Sequence, residues 1–203
     1  MGASQDMEVR VLSWAPFNML YTRKGDNGST SAFGCDQRFS KSSAVAEALG
    51  SLDEINSFLG LVKVEAELLK EIVPGSDKNI SGLVHGIQET LFIIQAEVAG
   101  FPKPLSEGKV AKLEKVIDEI EKQLPPVKTF FISGGTKLAA FMDVSRTIAR
   151  RAERRVVAVS DEGLVKISSQ TLAYLNRLSS ILYALARHCN HKSGINESAP
   201  KYE

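Results

Sequence analysis

Apolar residues recur at helical spacing through most of the chain after residue 44. Val45, Leu49, Leu52, Leu59, Val62, Ala66, Leu69 and Val73 follow one another at intervals of three, four and seven. That spacing predicts a first helix from about Ala44 to Val73, stopped by Pro74-Gly75. Ile80, Leu83, Val84, Ile87, Leu91, Ile94 and Val98 predict a second, with Ser76 or Asp77 as its N-cap and Gly100, Pro102 and Pro104 closing it. A third opens at Ser106-Glu107-Gly108-Lys109, sets Val110, Leu113, Ile117, Ile120 and Leu124 on one face, and stops at Pro125-Pro126. The short apolar piece Val127 to Ile132 reads as a strand or an extended connector. Beyond Gly134-Gly135, Leu138, Phe141, Ser145, Ile148, Ala152, Val156 and Val159 mark a fourth helix ending near Asp161-Glu162-Gly163. Ile167, Leu172, Leu175, Leu178, Leu182 and Leu185 mark a fifth, from about Leu164 to His191. Amphipathic helices joined by short Pro/Gly connections, with no alternating strand pattern, predict an all-α antiparallel five-helix bundle. Several of the predicted helices exceed the usual length of about 10–14 residues. Such lengths suit a bundle whose outer stripes are covered by other subunits.

Composition changes this picture little. The chain has 203 residues, 25 basic against 24 acidic, and is 43% hydrophobic, the proportions of an ordinary globular domain. A net charge of +1 exerts no global pull toward nucleic acid or anionic membrane, so an anion site has to come from local arrangement. Cys35 and Cys189 stand far apart with no C-x-x-C spacing, which predicts neither a disulfide framework nor a four-thiolate zinc site and fits a reducing compartment. No run of about 18 apolar residues suggests a membrane span. Met1 to Leu20 lacks the basic and apolar regions of a secretory signal, and Asp6 stands where a myristoylation motif wants Ser or Thr. A cytoplasmic protein is expected, or a mitochondrial-matrix one if a transit peptide was removed. The expected division is an N-terminal extension over 1–20, a helical bundle over 21–191 and a tail over 192–203.

Two segments concentrate chemistry. Thr22-Arg23-Lys24-Gly25-Asp26-Asn27-Gly28-Ser29-Thr30-Ser31 packs glycines, cations and hydroxyls together, which an anion-cradling loop needs and an ordinary surface turn also uses. Neither G-x-x-x-x-G-K-[ST] nor G-x-G-x-x-G occurs in the chain, so a nucleotide site here is of another kind. The fourth helix carries Arg146, Arg150, Arg151, Arg154 and Arg155, relieved by Asp143 and Glu153. Arg146, Arg150 and Arg154, at i, i+4 and i+8, line one face within about 12 Å. Three readings stand for it: a triphosphate clamp, a solvated face paired with carboxylates, and an RNA-binding helix. Asp53 lies on or beside the apolar stripe of the first helix, where a carboxylate needs a partner. Asn176 and Arg177, inside the run Leu172 to Leu178, face the same requirement. No Glu-x-x-His pair of the di-iron type occurs. His188-x-x-His191 offers a weak metal pair, though near a polar C-terminus the two read rather as incidental surface histidines, and His85 as packed or exposed rather than catalytic.

The ensemble resembles the PduO-type ATP:cob(I)alamin adenosyltransferase family. The matching stretches are Tyr21 to Thr30, Gly50-Ser51-Leu52-Asp53-Glu54-Ile55-Asn56, Ser133-Gly134-Gly135-Thr136, Ser145 to Arg155, and Leu175-Asn176-Arg177-Leu178-Ser179. They occur in order and cover the chain from about Tyr21 to His191. The resemblance implies a trimeric five-helix bundle, a homotrimer with its active sites between subunits. It implies transfer of the 5′-deoxyadenosyl group of ATP to cob(I)alamin, giving adenosylcobalamin and triphosphate. By the same resemblance Thr22, Arg23, Gly25, Asp26, Gly28, Thr30 and Lys41 surround ATP from one subunit, and Arg150, Arg151, Glu153, Arg154 and Asn176 complete the site from its neighbour. Asp53 and Arg146 match an intersubunit ion pair, and Phe130 matches the aromatic side chain that closes the lower face of the corrin. No metal ligand from side chains is expected, and Mg2+ would arrive on the ATP phosphates. A reductase and an adenosylcobalamin-dependent acceptor enzyme are the implied partners, with no nucleic acid and no membrane. Ser180 stands where the family commonly has Asp, and Ser133 where it often has Pro. The competing function is a non-catalytic helical oligomer that binds RNA or nucleotide through its arginine-rich helix.

Overall fold

The computed structural model describes residues 20–31, 38–101 and 105–202. The expectations for residues 1–19, Cys35, Pro102 and Pro104 lie outside the described residues.

A small hairpin precedes the helices. Strand β1 (Ser29–Ser31) pairs antiparallel with β2 (Arg38–Ser40), Ser29 opposite Ser40 and Ser31 opposite Arg38. The helices are α1 (Ala44–Glu65), α2 (Ile80–Val98), α3 (Glu107–Glu121), α4 (Lys137–Asp161) and α5 (Ser169–Lys192). All but α3 start at a side-chain cap, which satisfies amides that have no intrahelical acceptor. Ser43 Oγ accepts from the Ala46 amide at 3.3 Å, Asn79 Oδ1 from Gly82 at 2.9 Å, Thr136 Oγ1 from Ala139 at 3.1 Å and Ser168 Oγ from Thr171 at 3.3 Å. The N-cap of α2 is therefore Asn79, not Ser76 or Asp77. Asn79 also ties back to the preceding loop, donating Nδ2 to the Leu69 carbonyl at 3.1 Å.

The first helix is shorter than its periodicity predicts. It ends at Glu65, and Ala66 and Val73 still reach the core, at 0% and 1% exposure, from a loop. That loop closes through the Val73 amide donating to the Lys78 carbonyl at 2.9 Å. Gly75, at φ +76°, lets it lie against α3: a Cβ there would sit 2.8 Å from the Lys115 carbonyl oxygen. Likewise α3 stops at Glu121 and α5 begins at Ser169, inside the expected limits. Only α4 reaches 25 residues. Val127 to Ile132 forms an extended connector, not a strand.

Cross-helix bonds set the directions. Lys137 pairs with Glu65 at 2.7 Å and Arg151 with Glu54, so α1 and α4 are antiparallel. Thr136 meets Asn190 while Asn176 meets Glu153, so α4 and α5 are antiparallel too. The pair α3 and α5 departs from an antiparallel arrangement. Glu107 meets Gln170, Glu114 meets Arg177 and Pro125 meets Arg187, so that pair runs parallel. The core is Leu52, Leu59, Leu91, Ile94, Leu175, Leu178 and Leu182, all at 0% exposure, each stabilising by about 1.5–3 kcal/mol. Ala139, Ser145, Ala149 and Ala152 are buried along α4, so this helix lies close between α1 and α5. Glu97 of α2, at 5% exposure, accepts from the Ser168 amide at 2.6 Å and from Thr171 Oγ1 at 2.5 Å, bracing the start of α5.

Candidate functional site

The loop from Thr22 to Thr30 is organised from its far side. Arg38 on β2 donates Nη2 to the carbonyls of Lys24 and of Ser29, the latter at 2.8 Å, and Nε to Ser29 Oγ at 2.8 Å. Lys41 donates Nζ to the Gly25 carbonyl at 2.9 Å. A Cβ on Gly25 would lie 3.0 Å from that ammonium nitrogen, so a larger residue here would push the Lys41 side chain aside. Arg23 adopts a left-handed φ of 59° and sets its guanidinium 5.5 Å from the Tyr21 ring centre. Gly28 has φ +76°, and its amide closes the turn onto the Gly25 carbonyl at 3.1 Å. Thr22 and Thr30 are half-buried, and Asp26 is exposed. The loop is thus a preformed turn that carries Arg23 and Lys24 and has Arg38 and Lys41 bonded to its backbone. Lys41, with three donors, spends one on the loop itself.

The arginines of α4 divide between two faces. Arg151 pairs with Glu54, and Arg155 lies 3.9 Å from Glu47, so these two form the carboxylate-paired surface toward α1. The stripe Arg146, Arg150 and Arg154 faces elsewhere. Arg150 and Arg154 are exposed and have no ion pair among the described residues. Arg146 is half-buried, its Nε 3.6 Å from Asp143 Oδ1, beyond hydrogen-bond reach, and that Nε is buried without a hydrogen-bond partner.

Two neighbouring cavities open along this stripe, and Arg150 lines both. The smaller, about 280 Å³, is walled by Arg150, Glu153, Arg154, Val157 and Asn176. Asn176 does not point inward: it is exposed, donates Nδ2 to Glu153 Oε1 at 2.9 Å and accepts from Arg177 Nη1 at 2.6 Å. Arg177 in turn is held by Glu114 at 3.0 Å. The larger cavity, about 710 Å³, lies between the connector at 127–134, α4, α5 and the tail at Glu197. Phe130 stands in its wall at 78% exposure, with Phe131, Arg146, Ser180, Tyr183 and Arg187. Burial pushes the Tyr183 phenol above its ordinary value, and the Arg187 charge opposes that. The Arg146 guanidinium stands 5.9 Å from the Tyr183 ring centre.

Four of the expected site residues, Arg150, Glu153, Arg154 and Asn176, therefore meet in one pocket, and Phe130 and Arg146 in the adjoining one. The loop residues Thr22 to Thr30 and Lys41 line neither cavity. Arg151 lines neither as well. Asp53 is exposed, off the apolar stripe, and without an ion pair among the described residues. His188 is not a surface histidine: it is 4% exposed, with its Nδ1 unpartnered and its pKa lowered, chiefly by burial. His85 is exposed, 3.8 Å from Glu89. Among the described residues no group of three or more His, Cys, Asp or Glu could hold a metal ion. Asp143, Tyr183, Arg187, Asn190 and Glu197 line the larger cavity without having been singled out. Only Asp143 left a sequence signal, three residues before Arg146.

Comparison with known proteins points in one direction. The profile of the cobalamin adenosyltransferase family matches residues 20–189. The chain is 40% identical over 182 residues to a corrinoid adenosyltransferase of Bacillus subtilis, covering 88% of this chain and 90% of that protein. It is 38% identical over 175 residues to the corrinoid adenosyltransferase PduO of Salmonella typhimurium, where it covers 83% of this chain and 48% of the relative. The chain thus spans about half the length of that relative. Among solved structures, a variant of the PduO-type ATP:corrinoid adenosyltransferase from Lactobacillus reuteri, complexed with cobalamin and ATP, superposes with a TM-score of 0.78 at 30% identity, over 91% of this chain and 97% of that one.

Proposed function

The chain belongs to the cobalamin adenosyltransferase family, and from that premise we propose that it transfers the 5′-deoxyadenosyl group of ATP to cob(I)alamin. The Co(I) electron pair attacks C5′, the C5′–O5′ bond breaks, and triphosphate leaves with that bond's electrons. Because the metal of the substrate is itself the nucleophile, the protein supplies neither a base nor a covalent side chain. It has to hold two substrates in line and stabilise charge on the departing triphosphate.

One observation carries this reading: two cavities of unequal size and chemistry adjoin, and Arg150 stands in the wall of both. The smaller, lined by Arg150 and Arg154, suits the polyphosphate, which arginine forks bind bidentately. The larger, with Phe130, Phe131 and Tyr183, suits the bulky corrinoid face. MgATP is the substrate form, with Mg2+ carried chiefly on the phosphates.

The active form is a homotrimer in which the Thr22 to Thr30 loop and Lys41 of one subunit meet the Arg150, Arg151, Glu153, Arg154 and Asn176 face of its neighbour. In support, the loop lines neither cavity of its own chain, and Asp53 has no ion pair among the described residues. An Asp53–Arg146 pair across the interface would give the Asp53 carboxylate a counter-charge. The protein acts in the cytoplasm, or in the mitochondrial matrix if a transit peptide was removed, with a reductase supplying Co(I) and an acceptor enzyme taking the product. The RNA-binding alternative is disfavoured by the pairing of Arg151 and Arg155 with α1 carboxylates.

The test is to mix the protein with MgATP and chemically reduced cobalamin and follow absorbance as the cobalt–carbon bond forms, while assaying for triphosphate. No alkylation, or release of phosphate and pyrophosphate with no alkylcobalamin, refutes the reading. Light scattering that finds only monomer refutes the trimer.

A further inference from the structure

One guanidinium joins three parts of the chain that are remote in sequence. Arg187, on α5 and 6% exposed, donates Nε to Glu197 Oε2 at 2.8 Å and Nη2 to the Pro125 carbonyl at 3.0 Å. Its Cζ lies 5.2 Å from the centre of the Phe131 ring. The segment carrying Glu197 then runs back along the connector, where the Ile132 amide donates to the Ser198 carbonyl at 2.9 Å. Among the described residues this is the one backbone-to-backbone bond made by residues 127–133. The connector that carries Phe130 belongs to no helix or sheet, so its position depends on these few contacts. Glu197 is itself largely covered, with a side chain 17% exposed. The pair is therefore unlike the exposed ion pairs elsewhere on the surface, and losing one partner would leave a buried charge short of its counterpart.

We propose that Arg187 and Glu197 are positioning residues: through them the C-terminal segment clamps the Phe130 connector into the wall of the larger cavity and so sets affinity for the corrinoid. This rests on the reading of that cavity as the corrinoid chamber. The smaller cavity shares none of these contacts, since its walls come from α4 and α5 alone. The clamp acts on one substrate and leaves the other untouched.

The experiment compares the full-length wild type with E197Q and R187K. E197Q keeps the shape and removes the charge; R187K keeps the charge but cannot reach Glu197 and the Pro125 carbonyl together. Steady-state kinetics give KM for each substrate, and hydrogen exchange follows the amides of residues 129–132. The expected result is a rise of roughly tenfold or more in the corrinoid KM, as for loss of a charge-assisted bond, with the ATP KM within about twofold. Exchange should quicken at the Ile132 amide, the connector donor bonded to Ser198, and stay as in wild type through α4. An unchanged corrinoid KM overturns the proposal whatever the exchange shows, and so does an equal rise in both KM values. If the wild type itself fails to alkylate Co(I)alamin, the reading of function is what has failed. The clamp then stands or falls on exchange at the Ile132 amide alone, where equal protection in all three proteins refutes it.

Discussion

Replacing Arg150 with alanine separates a phosphate-binding role from a structural one. Arg150 is exposed and makes no ion pair among the described residues, although it lines both cavities. Its removal should therefore change folding stability by no more than about 0.5 kcal/mol, as for an uninvolved surface position. If Arg150 binds the triphosphate as proposed, the contact is a charge-assisted bond worth about 1.5–3 kcal/mol. At about 1.4 kcal/mol per tenfold, kcat/KM for ATP should fall roughly 10- to 150-fold. Arg155→Ala is the matched control: it removes the same charge from the same helix, at a residue that lies 3.9 Å from Glu47 and lines neither cavity. Initial rates with ATP varied at saturating reduced cobalamin, together with thermal unfolding of both variants, give the comparison. Arg150→Ala with kcat/KM within twofold of wild type, or with a loss equalled by Arg155→Ala, would show that the stripe is only a solvated charged face.

Three other outcomes follow from the packing. Glu97→Ala leaves the Ser168 amide and Thr171 hydroxyl without their buried acceptor, which costs about 2–4 kcal/mol and should lower the melting temperature by roughly 5–12 °C at this chain length; calorimetry checks it. His188 has a folded pKa below 6.5, from burial first and then the Lys192 charge, with Glu71 opposing and His191 adding to it. The unfolded state therefore binds more protons, so the contribution is complete above pH 6.5 and is lost as pH falls through the folded value. Denaturant unfolding of His188→Gln should accordingly show a weaker loss of stability between neutral and mildly acidic pH than wild type. Cys189 is 8% exposed, with burial pushing its thiol up to about 11. In a Cys35→Ser background it should resist alkylation by iodoacetamide at pH 8 until the protein is unfolded, and rapid native-state labelling would contradict this.

Much of the bundle was legible because helix formation is local. A period near 3.6 ties burial to spacing within a single element, and α2 and α4 lie close to where their apolar residues recur. The misplaced boundaries have tertiary causes. Ala66 and Val73 are buried as their spacing demands, but from a loop that leaves the helix at Glu65 and rests on α3 at Gly75. Asp53 and Asn176 both turned out exposed, because a polar residue beside an apolar stripe can rotate outward with little strain. The hairpin went unseen since its strands have three residues each and no alternation.

The helical class, the arginine stripe at i, i+4 and i+8, and the glycine-rich loop can be read along the chain, since each is a relation between near neighbours. Tertiary structure alone decided that Arg151 and Arg155 are occupied by α1 carboxylates while Arg150 borders two cavities. It also decided that Pro125, Arg187 and Glu197 share one guanidinium, although Arg187 and Pro125 stand 62 positions apart. Contacts of that kind leave no periodicity to read. They arise when separate segments are packed against a common core, and the direction and length of every intervening helix set which side chains meet.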